Sequence, residues 1–174
     1  EITTHGLMQE FRTCGLDEDT ISMAKTALWR LMRARDVKPS DVGMLQVASP
    51  SILDRSKSLK SELMELFEAH GVADLEGVDS VCSTLGGNEA ILKCVAWVES
   101  NAWDGRWAIA VCIDSPGPGD ESGPHLIGSA AVAALIGPDA SVAVSSVRST
   151  SASHTWDECY RRPLPHGMES RASA

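Results

Sequence analysis

Residues 77–98 read GVDSVCSTLGGNEAILKCVAWV, and the order of residue types in this stretch decides the fold. Gly77 to Ser83 is β-rich and long enough for one strand. Gly86-Gly87 follows at once, and Ala90 to Val98 is then apolar on nearly every side. A helix that is apolar all round is buried between layers rather than lying on a surface. A strand that runs straight into such a helix predicts a layered α/β arrangement.

The flanking segments extend that pattern. Downstream, Trp103-Asp104-Gly105-Arg106 is a turn signal, and Trp107 to Ile113 reads as a buried strand. Residues 115–124 form a Gly/Pro-rich loop. Two further strands are expected at 129–136 and 141–147, broken at Gly137-Pro138-Asp139. Upstream, residues 17–35 predict a helix, capped by Asp17 or Asp19, with Ile21, Ala24, Leu28 and Leu31 at helical spacing. Pro39 ends it, because the residue before a proline avoids the helical region. Gly43 to Val47 suggests a buried strand. Ser56 to His70 suggests a second helix, with Leu59, Leu63, Leu66 and Phe67 on one face and Gly71 as its stop. The expected layout is one α/β domain over 1–148, followed by a polar tail over 149–174 that is partly disordered or contacts a partner.

Composition narrows the function classes. The 174 residues carry 15 Lys+Arg against 24 Asp+Glu, a net charge of -9. A nucleic-acid or anionic-membrane binder needs clustered basic residues, so neither partner is expected. An anionic ligand would require a local basic patch, to which Lys57, Lys60, Arg106, Arg161 and Arg162 could contribute; each also reads as a solvated surface charge. Five dispersed cysteines (Cys14, Cys82, Cys94, Cys112 and Cys159) fit reduced thiols of a cytoplasmic protein rather than a disulfide framework. Neither a membrane span nor a secretory leader is expected. There is no Cys-x-x-Cys and no His-Glu-x-x-His, so no metal is called for, and no cofactor either.

One set of residues goes further than periodicity. Glu76-Gly77-Val78-Asp79, Leu85-Gly86-Gly87, Val95 to Ser100 and Trp103-Asp104-Gly105-Arg106-Trp107-Ala108 resemble the region around the active cysteine of 3-hydroxy-3-methylglutaryl-CoA (HMG-CoA) synthases. The resemblance continues through Ala133 to Pro138. Upstream it includes Ile52 to Ser58 and Leu63 to Glu68. It implies a thiolase-like αβα half-fold, one of two similar halves that stack as an αβαβα sandwich. Members of that family normally pair into dimers. A half-fold leaves an apolar helix layer uncovered, so a partner is expected: a second copy, or a separate chain carrying the other half.

The family's reaction acetylates a cysteine at the start of the buried helix. A glutamate then removes a proton from the acetyl methyl group, and a histidine of the second half assists. Aligned on Gly86-Gly87, Thr84 stands at the cysteine position and Leu85 at the neighbouring aromatic. Aligned on Ile52-Leu53-Asp54, Pro50 stands where the family keeps its glutamate, and proline has no acid or base to offer. A threonine hydroxyl is far less nucleophilic than a thiolate without an adjacent base, and Thr84 also reads as a helix cap or strand-end residue.

Two positions read as gains. Cys82, two residues before Thr84, would share its face in an extended strand. It reads either as a displaced nucleophile or as a buried structural thiol. His125, after the Gly/Pro-rich loop, could serve as an acid or base near neutral pH, or have no role. Asp54 matches the family and reads first as a helix cap. The candidate catalytic residues are therefore Thr84, Cys82 and His125.

Three functions follow. The first is a repurposed enzyme that converts a small acyl, polyketide or terpenoid-like substrate by proton transfer, cyclisation or rearrangement. The second is a non-catalytic subunit of a thiolase-fold complex. The third is an HMG-CoA synthase fragment.

Overall fold

The computed structural model describes residues 14–52, 54, 56–82, 85–115 and 128–145. The first helix, α1 (Thr20–Ala34), begins where Asp19 accepts the backbone N–H of Ser22 at 2.7 Å while Ser22 Oγ receives the backbone N–H of Asp19 at 2.9 Å. This reciprocal cap selects Asp19 over Asp17. After a short 3-10 turn at Pro39–Asp41, strand β1 (Val42–Ala48) is buried at every residue. Such complete burial marks a central strand covered on both faces.

The helix expected over 56–70 is two short pieces, α2 (Leu59–Leu63) and α3 (Glu65–Glu68), which end before Gly71 at φ +76°. Its cap is not Asp54, whose carboxylate instead accepts the Ser56 N–H at 2.8 Å. Ser58 caps α2 by accepting the Ser61 N–H at 3.0 Å. From further along the chain, Asp79 accepts the Leu59 and Lys60 N–H groups at 2.6 and 2.9 Å. Orphan N–H groups at this helix start are thus satisfied both by the adjacent Ser58 and, from β2, by Asp79.

Strand β2 is only Asp79–Ser80, shorter than the expected 77–83, although backbone bonds to β1 start at Glu76. Gly77 makes that approach feasible: its φ is +139°, and a Cβ there would sit 1.8 Å from the Leu45 carbonyl oxygen. Helix α4 (Gly86–Val98) follows, then β3 (Trp107–Asp114) and β4 (Ala130–Ile136). The Trp103–Arg106 turn is fastened by Trp103 Nε1 donating to the Arg106 carbonyl at 2.7 Å and by the Arg106 N–H donating to Asp104 at 3.0 Å. The strand expected at 141–147 does not form over 141–145, where the backbone is irregular.

The sheet order is β2-β1-β3-β4, parallel across its first three strands and antiparallel between β3 and β4. Two packed clusters cover its faces. One joins α1, α2 and α3 to Leu45, Val47, Ile109, Val111 and Ile113. The other joins α4, through Ala90, Cys94 and Trp97, to Met44, Ala48, Ala108 and Ala110. The architecture is therefore an αβα half-fold, as expected. Helix α4 is buried on the sheet side at Ala90, Cys94 and Trp97, whereas Asn88 and Ala96 are exposed and Leu92 is half-buried. In the described residues its outward side is thus partly open, not sealed between layers.

Candidate active site

A cleft of about 310 Å³ opens at the carboxyl ends of β1 and β3, beside the first turn of α4. This is where parallel strands of α/β folds habitually place their sites. The end of β1 contributes Ser49 and Pro50, the end of β3 contributes Cys112 and Asp114, and Val132 of β4 closes one side. Cys82 and Asn88 line the wall next to α4.

The expected site residues fare differently. Cys82 is exposed and faces the cleft, which corrects the buried-thiol reading. It also lies beyond the short β2. Its carbonyl accepts the Gly86 N–H at 2.9 Å, so it belongs to the turn that starts α4. Thr84 and His125 lie outside the described residues, as do Cys159, Arg161, Arg162 and the tail from 146 onward. Pro50 lines the cleft, and so no carboxylate comes from that position.

The cleft does have a carboxylate, at a place sequence reasoning missed. Asp114 is the exposed last residue of β3 and accepts a hydrogen bond from the hydroxyl of buried Ser51. The signal was present in Trp107–Asp114: the first charged side chain after an unbroken apolar run marks the strand's end, where sites form. Around it, Ser51 Oγ accepts the Ser115 N–H at 3.2 Å, and the Ser115 hydroxyl lies 2.9 Å from Cys14 Sγ and 3.3 Å from Ser129 Oγ. Small hydroxyl side chains thus knit the segment before α1 to the ends of β3 and β4.

Cys94 and Cys112 are more buried than Cys82. Burial pushes the Cys94 thiol up to about 12, and burial also raises that of Cys112. A thiol kept protonated is a poor nucleophile. Basic side chains form no patch here among the described residues. Lys57 pairs with Glu62 at 2.8 Å, and that contact raises its affinity for its proton. Lys60 donates to the Leu75 carbonyl at 2.8 Å, while Arg106 is held by Asp104 and Asp74 at 2.7 and 3.1 Å. No group of three or more His, Cys, Asp or Glu among the described residues is arranged to hold a metal ion. No helix among them is long and apolar enough to cross a membrane.

The fold and the cleft at its strand ends define a thiolase-fold condensing-enzyme half. A solved structure of MvaS in complex with 3-hydroxy-3-methylglutaryl coenzyme A superposes with a TM-score of 0.61 at 33% identity, covering 69% of this chain and 28% of that one. A priming β-ketosynthase of the R1128 polyketide pathway shares the fold, with a TM-score of 0.62 at 22% identity over 74% of this chain and 38% of the other. Within that class, the family described as "Hydroxymethylglutaryl-coenzyme A synthase N terminal" matches residues 3–141, and the chain belongs to it. Hydroxymethylglutaryl-CoA synthase erg13B of Aspergillus fumigatus is 42% identical over 145 residues, covering 83% of this chain and 32% of that protein. The mitochondrial hydroxymethylglutaryl-CoA synthase of Sus scrofa is 40% identical over 146 residues, covering 83% and 28%. The chain therefore spans about a third of the length of the curated relatives it matches.

Proposed function

We propose that this HMG-CoA-synthase-family chain binds a small acyl thioester or related carbonyl substrate in the cleft and moves a proton on it, without first acylating itself. The observation that carries this reading is the content of the cleft: Pro50 and Asp114 line it together, so its carboxylate comes from the end of β3. A carboxylate beside a bound carbonyl compound can take a proton from the adjacent carbon and return one, which is the elementary step of enolisation, cyclisation and rearrangement. Self-acylation would need an activated thiolate. Cys94 and Cys112 are held protonated by burial, and the family's cysteine position is Thr84. Cys82, exposed in the cleft wall, is the described residue that would take the acyl group if this reading fails. His125 is retained as a second acid or base.

Incubation of the chain with radiolabelled acetyl-CoA tests the proposal. The expected result is no covalent label after denaturation. Label mapped to Cys82 or Thr84 would show self-acylation and overturn it.

A second reading is favoured by the open side of α4. Exposed Asn88 and Ala96, half-buried Leu92 and the 62% exposed Val132 leave small and apolar surface uncovered next to the cleft. We infer that further protein completes this side, as a second copy or a chain carrying the rest of the fold, and that a non-catalytic subunit role would use the same surface. The cytoplasmic setting expected from the thiols belongs to this proposal too; the relatives include enzymes named mitochondrial and cytoplasmic.

A further inference from the structure

The carboxylate at the end of β3 is oriented from the end of β1. Ser51 is 1% exposed, and its hydroxyl lies between two partners. It accepts the backbone N–H of Ser115 at 3.2 Å and donates to Oδ1 of Asp114. A hydroxyl has a single hydrogen to give, and here the carboxylate receives it. Ser51 is itself fixed on both sides: its N–H donates to Ser49 Oγ at 3.1 Å, and its carbonyl accepts Thr20 Oγ1 at 3.2 Å. The Ser115 end is held as well, by Cys14 and Ser129. The hydrogen bond thus comes from a rigid, buried donor to a carboxylate at the cleft surface, an arrangement suited to fixing a side chain for chemistry.

We infer that Ser51 is a positioning residue. Its hydroxyl engages one oxygen of Asp114 and leaves the other for a substrate, so the acid/base group absent at Pro50 is replaced across the sheet and steered by the very next residue in the chain. The inference rests on the proton-transfer reading of the cleft. In the step it serves, Asp114 takes a proton from the carbon next to a thioester carbonyl, the C–H electron pair passes into the enolate, and a solvent-derived proton returns to that carbon. No other reactant is consumed.

Two readouts on the full chain separate this inference from the reading beneath it. Scalar couplings across the Asp114 Cα–Cβ bond in isotope-labelled protein report its rotamer without any substrate. One rotamer is expected in the unsubstituted chain and in Ser51→Thr, and rotamer averaging in Ser51→Ala. With acetyl-CoA as probe in deuterium oxide, deuterium entry into the acetyl group should fall about tenfold in kcat for Ser51→Ala, with KM unchanged, and recover in Ser51→Thr. Should Ser51→Ala fail to fold, Ser51→Cys supplies a near-isosteric, weaker donor for the same measurements. A single Asp114 rotamer in Ser51→Ala overturns the positioning inference whatever the exchange rate. Rotamer averaging together with no exchange by the unsubstituted chain overturns the proton-transfer reading and leaves the positioning geometry standing.

Discussion

The two faces of β3 carry residues of opposite size. Along β3, Ile109, Val111 and Ile113 join the cluster under α1, whereas Ala108, Ala110 and Cys112 lie toward α4. The α1 side adds Leu28, Leu63 and Phe67, all fully buried. The α4 side has Ala48 and Ala90, and the helix starts so near the sheet that a Cβ on Gly86 would meet Ala48 Cβ at 3.5 Å. Large branched side chains bury the most apolar area, so the α1 face supplies most of the hydrophobic stabilisation. Small ones let a helix end approach closely and leave room for a cleft. The same strand therefore serves as core on one face and as site wall on the other.

The largest expected effect breaks the α1 face. Phe67→Ala should cost about 3–5 kcal/mol, and Leu92→Ala, on the half-open side of α4, less than about 1 kcal/mol. Urea midpoints measure both, and equal losses would erase the contrast.

Next comes the α4 face under alkali. Burial raises Cys94 from an ordinary value near 9.0 to about 12. A raised value in the folded state means that the unfolded chain gives up its proton first. The contribution is fully present below about pH 9 and is lost toward pH 12, at about 1.4 kcal/mol per pH unit. Cys94→Ala should flatten that part of the pH–stability curve. In the unsubstituted chain at pH 8, peptide mapping after brief iodoacetamide treatment should find Cys82 modified well before Cys94. The reverse order would contradict the placement of both thiols.

The smallest effect concerns a polar compromise in the α4 layer. Gln46 Oε1 and Trp97 Nε1 are buried with no hydrogen-bond partner among the described residues. Replacing a buried, unpaired polar group by an apolar one of like shape is near neutral or stabilising, so Gln46→Met should change the unfolding free energy by under about 1 kcal/mol. A large loss would mean that the amide is satisfied in solution.

Much of this was legible because periodicity reports burial directly. The α1 repeat, the β1 run and the apolar stretch after Gly86-Gly87 all became the expected elements, and the block around Trp103 carried the family. What stayed illegible depended on contacts distant in sequence. The cap of α2 is shared between Ser58 and Asp79, some twenty residues on, whereas Asp54 was the cap expected. The extended run after Gly77 pairs with β1 only as far as Ser80, which is why Cys82 ends in an exposed turn and not inside a strand. The 141–147 segment has β-forming residues, yet the described part of it has no strand partner. Asp114 fell between the strand expected to end at Ile113 and the loop expected from 115, with no role assigned, because its relation to Ser51 spans sixty-three positions.

The central claim is that the cleft's chemistry has moved from the β1 end to the β3 carboxylate. Deuterium entry into acetyl-CoA, followed by mass spectrometry for the unsubstituted chain and for Asp114→Asn, tests it most directly. The expected result is catalysed exchange in the former and background exchange in the latter, with the fold of both intact. Exchange that survives Asp114→Asn unchanged would contradict the claim.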